Sequence, residues 1–265
     1  MSNTVVRPDG AEIAWYDEGS GSPVLLIMGL AYPAASWHRQ VSVLADRHRV
    51  LTVDNRGSGG SAGAPGAPYT VELMTDDCLA VLDAAGVEQA HLVGISMGGL
   101  MAQELALSHP QRVRSLTLLA SHPGTAHGVW PQEMQEFMAA RLAMPAEERA
   151  EFSIPFNYHP STPRELIEQD WAVRSAGTAD VVGYAAQGGT ALWSGYDRLP
   201  SMSVPTLVLH GAVDRLCVPG NAEVLAEAIP GAKLVLVEGA NHVLTTDRAD
   251  EVNRELLAWF AANEA

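Results

Sequence analysis

The stretch HLVGISMGGLMAQELALSH, residues 91–109, decides how this chain is expected to fold. It begins with apolar residues, passes through Gly94–Gly99 (GISMGG), and then carries apolar residues at helical spacing. That order predicts a buried strand, a sharp turn centred on Ser96, and a helix. Glycines on both sides of the serine allow a strained turn in which a side chain would clash.

The G-x-S-x-G spacing arises often by chance in glycine-rich proteins, but the strand–turn–helix context makes it specific. A serine on such a turn exposes its hydroxyl, and the N-terminal N–H groups of the following helix face any negative charge that develops there. The pattern therefore predicts that Ser96 is a nucleophile. A serine hydroxyl needs a base to remove its proton, so a histidine is expected nearby.

His242 and Asp214 are the residues best placed to complete this chemistry. His242 lies in GANHV, after the apolar run KLVLV and before the last helical stretch, and Asp214 follows the run TLVLH. In proteins with a nucleophilic serine on such a strand–turn–helix motif, the serine comes first in the chain, then the acid, and then the histidine. Asp214 would hold the His242 ring and stabilise its charged form. His210 is expected to be structural, while His122 and His127 are candidates for pocket lining.

Two backbone N–H groups are expected to stabilise a developing oxyanion. Met97 follows the nucleophile and supplies one by position. The second is assigned to Leu30, because Met28-Gly29-Leu30 follows the strand-like run PVLLIM and Gly29 permits a tight turn. Gly29 as a plain turn glycine is compatible with this role.

Outward from this stretch, short apolar runs alternate with amphipathic ones, which predicts an α/β fold with a parallel sheet. The predicted strands are Pro23–Met28, Val50–Val53, His91–Ile95, Val113–Leu119, Thr206–His210 and Lys233–Val237. The predicted helices of this part are Trp37–Ala45, Val71–Ala85, Leu100–His109, Asn221–Ile229 and Ala249–Ala262.

Residues 122–200 lack strand signals and predict a helical cap, with residues 1–121 and 201–265 as the core domain. The expected cap helices are Met134–Met144, Arg164–Arg174 and Ala179–Trp193. The segment holds nine of the sixteen aromatic residues, which suggests an apolar underside over a pocket. Trp130 is the candidate for substrate contact, beside Leu30 and Met97. The rings could equally serve to attach the cap to the sheet.

Composition narrows the partners. A net charge of −15 argues against nucleic acid and anionic membrane surfaces as binding partners, because like charges repel. Only two cysteines, Cys78 and Cys217, occur, and neither a signal-peptide pattern nor a membrane-spanning run is apparent. We therefore expect a cytoplasmic protein, a monomer or homodimer, that acts on a small molecule. No metal site or cofactor is predicted, since neither zinc-site spacing nor a phosphate-binding or dinucleotide fingerprint is present.

With these residues in place, the chain resembles the α/β-hydrolase superfamily from about Val5 to Phe260. The loop DNRGSGGS (residues 54–61) resembles a family motif, as does HGAVDRLCVP around Asp214. The run from Ser96 to Ser121 is similar to bacterial esterases and 3-oxoadipate enol-lactonase-like members. The resemblance implies a mostly parallel eight-stranded sheet with a helical cap inserted after strand six. Many members carry His-Gly where this chain has Met28-Gly29, which alters loop packing while leaving the backbone donor in place.

The leading functional hypothesis is hydrolysis of a carboxylic ester or lactone of small to medium, apolar character. Thioesterase, C–C bond hydrolase and cofactor-free haloperoxidase-like activities use the same framework and stay open. A ligand receptor that retains the triad is a third alternative. Ser96 argues against haloalkane dehalogenases and epoxide hydrolases, which resemble this chain but place aspartate at the turn. Activity is expected to fall in acid, because protonated His242 cannot accept a proton.

Overall fold

The computed structural model describes residues 2–63, 69–176 and 181–264. They form an eight-stranded sheet in the order β1-β2-β4-β3-β5-β6-β7-β8. The strands are β1 Ser2–Val6, β2 Glu12–Gly19, β3 Ser22–Ile27, β4 His48–Val53, β5 Ala90–Ile95, β6 Val113–Leu119, β7 Thr206–Gly211 and β8 Lys233–Val237. Only β2 pairs antiparallel with its described neighbours, β1 and β4, and β3 to β8 run parallel. The predicted α/β fold with a mostly parallel sheet is confirmed.

Helices flank the sheet and connect its parallel strands. They are α1 His38–Leu44, α2 Val71–Ala84, α3 Met97–Ser108, α4 Gln132–Ala143, α5 Arg149–Asn157, α6 Arg164–Ala176, α7 Val181–Gln187, α8 Gly220–Ala228, α9 Leu244–Asp247 and α10 Ala249–Ala262. No helix of the described residues is long and apolar enough to cross a membrane.

The inner strands are apolar along their length because both faces of the sheet are covered. In β3, Leu25 and Ile27 join the layer formed with α2, α3 and α8. Val24 and Leu26 point the other way and join the layer formed with α1 and α10. Because β5, β6, β7 and β8 are adjacent and run parallel, their carboxyl ends lie side by side at one edge of the sheet.

We call residues 120–205, between β6 and β7, the insert; its helices are α4 to α7. The helical insertion after strand six is confirmed, whereas the cap boundaries at 122 and 200 stay a prediction. The predicted helix Ala179–Trp193 is wrong in length, because α7 ends at Gln187 and a 3-10 segment follows over Gly188–Leu192. Its first two residues lie outside the described part of the chain.

One insert helix escaped the sequence prediction. Helix α5 contains Pro155, which reads as a helix breaker, yet the proline lies near the end of the helix. The Phe137 ring of α4 stacks on Phe156 of α5 at a centroid distance of 3.8 Å and on Phe152 at 5.4 Å. These aromatic rings therefore hold the insert helices to each other.

Candidate functional site

The turn at Ser96 joins β5 to α3 in a strained conformation. Ser96 has φ of 54° and ψ of −120°, and α3 begins at the next residue. A side chain on Gly94 would collide with the Gly98 carbonyl, and one on Gly98 would collide with Ile27 O. The glycines of the motif are therefore required by close packing, and the helix starts directly behind the serine hydroxyl.

The end of β6 holds this turn. Ser96 N–H donates to Leu119 O at 2.9 Å, and the Ser121 hydroxyl donates to Ser96 O at 3.0 Å. The backbone of the serine is thus fixed on both sides of its Cα. The Ser96 hydroxyl has no hydrogen-bond partner among the described residues, His242 included.

His242 and Asp214 lie together at the ends of β8 and β7. His242 Nδ1 is 2.9 Å from Asp214 Oδ2, and both residues are buried. The other carboxylate oxygen of Asp214 accepts the N–H groups of Leu216 and Cys217, each at 2.8 Å. Because an ionised carboxylate can only accept, this hydrogen bond requires a proton on His242 Nδ1.

The charge state of Asp214 follows from its neighbours. Burial opposes its ionisation, but the charges of His242 and His210 and their hydrogen bonds outweigh burial, so the pKa of Asp214 is lowered to about 2. His210 Nε2 lies 3.3 Å from Asp214 Oδ2 and 2.5 Å from Cys217 O. The histidine expected to be structural is therefore in direct contact with the predicted acid, which the sequence prediction missed.

The loop that carries His242, residues 238–247, is bound to the insert; we call it the histidine loop. Asn241 Nδ2 donates to Pro155 O at 3.2 Å and to Tyr158 O at 3.1 Å. Its Oδ1 accepts His242 N–H at 2.9 Å and Arg215 N–H at 3.0 Å. One buried amide thus joins both loops of the His242–Asp214 pair to the insert.

Further bonds repeat this attachment. Val243 N–H donates to Asn157 O at 2.8 Å. The carboxylate of Asp247 accepts Asn241 N–H at 2.7 Å, His159 N–H at 3.0 Å and the Thr162 hydroxyl at 2.6 Å. Sequence reasoning did not find Asn241 or Asp247, because no motif marks a polar residue whose partners are backbone groups of a distant segment.

On the other side of Ser96 lies the β3 loop, residues 28–31. A methyl group placed on Gly29 would come within 3.3 Å of Ile95 O and of Ser96 Cβ, so this loop approaches the serine closely. The N–H groups of Leu30 and Met97 have no acceptor among the described residues. Neither of the two predicted donors is therefore occupied by another described residue.

The DNRGSGGS loop supports the β3 loop from behind. Asn55 Nδ2 donates to Met28 O at 2.8 Å. Asp54 accepts Ala34 N–H at 2.6 Å and Gly60 N–H at 2.8 Å, which closes its own loop onto the following segment. The buried Arg56 guanidinium pairs with Asp77 of α2 at 2.6 Å. The motif acts through structure, by anchoring the chain that follows β3.

His122 and Trp130 lie on the insert side. His122 Nδ1 accepts Gly124 N–H at 3.2 Å, so Nε2 carries the proton of the neutral ring. Burial, and then the charge of His242, lowers the pKa of His122 to about 4. The half-buried Trp130 meets the His122 ring edge-on at a centroid distance of 4.9 Å, and its Nε1 donates to Thr125 O. A neutral histidine ring and an indole therefore pack together on the insert, and the histidine directly follows Ser121, whose hydroxyl donates to Ser96 O.

His127 does not share this position. It is exposed and stacks on Tyr196 at a centroid distance of 4.1 Å. Across residues 2–63, 69–176 and 181–264, no group of three or more His, Cys, Asp or Glu side chains is arranged to hold a metal ion.

Comparisons with known proteins agree with this architecture. Among curated relatives, RutD of Azorhizobium caulinodans, provisionally named a carbamate hydrolase, is 32% identical over 94% of this chain and 95% of its own. The pimeloyl-[acyl-carrier protein] methyl ester esterase of Aeromonas hydrophila is 31% identical over 84% of this chain and 89% of its own. Among solved structures, the enol-lactonase from Burkholderia xenovorans LB400 superimposes with a TM-score of 0.86 at 25% identity, covering 98% of this chain and 100% of that one.

The family model for the alpha/beta hydrolase fold matches residues 22–249. This range includes the Ser96 turn, the insert and the His242–Asp214 pair. On the length of that match and the sheet topology, the chain belongs to the α/β-hydrolase family of enzymes.

Proposed function

We propose that this enzyme is a serine hydrolase that cleaves a carboxylic ester or lactone through an acyl-enzyme. The observation that carries the proposal is the strained Ser96 turn together with the N–H groups of Leu30 and Met97, for which the described part of the chain offers no acceptor. The His242–Asp214 pair at the neighbouring strand ends supports it. A purely structural role would not need an uncommitted hydroxyl between two unpaired donors.

In the first half of the reaction, Ser96 Oγ attacks the carbonyl carbon while His242 Nε2 takes its proton. The ionised Asp214 stabilises the resulting imidazolium through the Nδ1–H bond. The carbonyl oxygen becomes an oxyanion, which accepts hydrogen bonds from Leu30 N–H and Met97 N–H. When the tetrahedral intermediate collapses, the bond to the alcohol oxygen breaks and His242 returns its proton to that oxygen.

In the second half, water replaces the alcohol. His242 Nε2 takes a proton from water as the water oxygen attacks the acyl carbon, and the Ser96–acyl bond breaks with the proton going to Ser96 Oγ. In a lactone the leaving hydroxyl stays attached to the acyl group, so the product is a hydroxy acid. The Ser96–His242 hydrogen bond is expected to form when substrate closes the site, as is common for such pairs.

Within the insert, residues 122–200 are proposed to act as a cap over the acyl group of the substrate. Trp130 and its neighbour His122 offer an apolar ring and a neutral N–H donor on the insert, and His122 directly follows Ser121, which holds the Ser96 turn. Such a lining suits an apolar substrate of small to medium size with few polar groups.

An oxygen ester or lactone is favoured over the other bonds by two of the compared proteins, named as a methyl ester esterase and an enol-lactonase. The relative named for carbamate hydrolysis makes a carbamate the second substrate class to test. A cytoplasmic location and a monomer or homodimer remain predictions from the sequence.

The test compares wild type with Ser96→Ala on p-nitrophenyl esters of increasing acyl length. We expect the variant to lose about 10⁴-fold or more of kcat/KM, and the preferred length to measure the acyl pocket. A fluorophosphonate should label wild type and not Ser96→Ala. Full esterase activity in Ser96→Ala would overturn the proposal. A panel of γ-lactones, aryl carbamates, thioesters and β-diketones then ranks the bonds, and ester or lactone turnover should be fastest.

A further inference from the structure

Gln187, the last residue of α7, has a fully buried side chain that joins three parts of the molecule. Its Oε1 accepts Ala31 N–H of the β3 loop at 2.8 Å. Its Nε2 donates to Arg56 O at 3.0 Å and to the Ser58 hydroxyl at 2.8 Å. Every polar atom of this amide is therefore used to hold the insert against the two loops behind Ser96.

The β3 loop needs such support because its conformation is strained. Ala31 has φ of 61°, a left-handed conformation that is unfavourable for a residue other than glycine. The loop is held at Met28 O by Asn55 and at Gly29 O by Tyr32 N–H. On its far side, Ala31 N–H is held by Gln187. Between these anchors lies Leu30 N–H, which has no acceptor among the described residues.

We infer that Gln187 is a positioning residue that holds the Leu30 N–H group at the place where the oxyanion develops. The inference rests on the proposed function and extends it. Gln187 acts through Ala31, and it makes the placement of the insert a condition for oxyanion stabilisation. A glutamine that only attached the insert to the core would not require its acceptor oxygen to meet the one residue of the β3 loop with positive φ.

The two roles predict different kinetics. Oxyanion stabilisation acts in the transition state, so its loss lowers kcat and leaves KM nearly unchanged. Loss of one such donor costs about 10²–10³-fold in kcat, and a loosened donor should cost less, about 10- to 100-fold. A substrate-contact role would raise KM, and a structural role would lower the melting temperature without a selective effect on kcat.

The experiment uses the full-length enzyme with Gln187→Leu, which removes both ends of the amide, and Gln187→Glu, which keeps the acceptor for Ala31. Gln132→Leu is the matched control, since Gln132 is exposed on α4 and donates only to Glu136 among the described residues. Ser58→Ala removes one partner of the Gln187 amide and leaves the bond to Ala31 intact. The readouts are kcat and KM on p-nitrophenyl esters, the melting temperature, and the Ki of an aryl trifluoromethyl ketone, which binds serine as an oxyanion.

We expect Gln187→Leu to lower kcat about 10- to 100-fold with KM within about twofold, and to raise the ketone Ki by a similar factor to kcat. Gln187→Glu keeps the acceptor for Ala31 but places a carboxylate oxygen against Arg56 O, so it should recover only part of the kcat lost in Gln187→Leu. Ser58→Ala and Gln132→Leu should stay within about twofold of wild type. If Gln187→Leu does not fold, Gln187→Asn replaces it, because the shorter amide cannot reach both loops.

A folded Gln187→Leu or Gln187→Asn enzyme with wild-type kcat and ketone Ki would overturn the positioning role. So would a raised KM at unchanged kcat. The Ser96→Ala control separates this failure from that of the proposed function: if Ser96→Ala is inactive, only the role of Gln187 is wrong, and if Ser96→Ala is fully active, both are wrong.

Discussion

The two sides of Ser96 are attached to the insert in very different ways. The histidine loop is bound to it by several hydrogen bonds, through Asn241, Val243 and Asp247. Among the described residues, a single hydrogen bond joins the β3 loop to the insert. In it, Ala31 N–H donates to Gln187 Oε1. Several hydrogen bonds therefore join the proton-transfer side to the insert, whereas one amide joins the proposed oxyanion side to it.

This difference predicts how each side responds to damage. Removing one of several parallel bonds leaves the remainder to hold the geometry, so the cost should appear in stability. Removing a sole attachment leaves a strained loop free to relax, so the cost should appear in the rate. Substitutions on the two sides can therefore test whether the difference in attachment to the insert has these consequences.

The largest effect should come from breaking the pair at the centre of the histidine side. His242→Ala removes the proposed base. Asp214→Asn would hold the His242 ring in the wrong tautomer. Each variant should lower kcat by about 10⁴-fold with little change in KM. Steady-state kinetics on a p-nitrophenyl ester measures both. A fall of less than tenfold in Asp214→Asn would show that Asp214 does not orient the base.

The next effect is a loss of stability in acid that involves His122. Its pKa is lowered to about 4 in the folded protein against 6.5 unfolded, so the unfolded state binds the extra proton between these values. The free energy of unfolding should therefore fall as pH drops from 6.5 to 4, by up to about 3 kcal/mol from this residue. Below about pH 4 its contribution should change no further.

Urea unfolding of wild type and His122→Asn across this pH range measures the difference. His127→Asn is the control, because that ring is exposed and should leave the pH dependence unchanged. Identical pH slopes for wild type and His122→Asn would contradict the expectation.

A smaller effect tests redundancy on the histidine side. Asp247→Asn disrupts bonds to Asn241, His159 and Thr162 but leaves the Asn241 amide on Pro155 and Tyr158. We expect the free energy of unfolding to fall by about 2 kcal/mol, with kcat within about threefold of wild type. Asp250→Asn, at an exposed site on α10, is the matched control. A large fall in kcat without loss of stability would reverse the comparison.

The smallest effect sharpens the contrast on the oxyanion side. Asn55→Ala frees Met28 O at one end of the β3 loop while Gln187 still holds the other end. We expect kcat to fall about five- to tenfold, less than for a whole oxyanion donor, with KM nearly unchanged. Kinetics on the same ester, with Asn263→Ala near the chain end as control, checks this. An unchanged kcat would show that Gln187 alone holds the loop.

Sequence predicted the fold and the identity of the candidate site residues because each is marked locally. Ser96, Asp214 and His242 each follow an apolar run, and these runs become β5, β7 and β8 of the same sheet. The support around them was not predictable in the same way. Asn241, Asp247 and Gln187 act through backbone partners that only the folded chain brings close. His210 was within reach, since it lies four residues before Asp214.

The hydrogen bond between Ala31 and Gln187 also has a consequence for folding during synthesis on the ribosome. Its two partners are 156 positions apart, so at about 5–20 residues per second the glutamine is made roughly eight to thirty seconds after the loop it completes. A nascent chain can begin pairing β1 to β6 and form its serine turn well before that moment. On this inference, full hydrolytic power is among the last properties the growing polypeptide acquires.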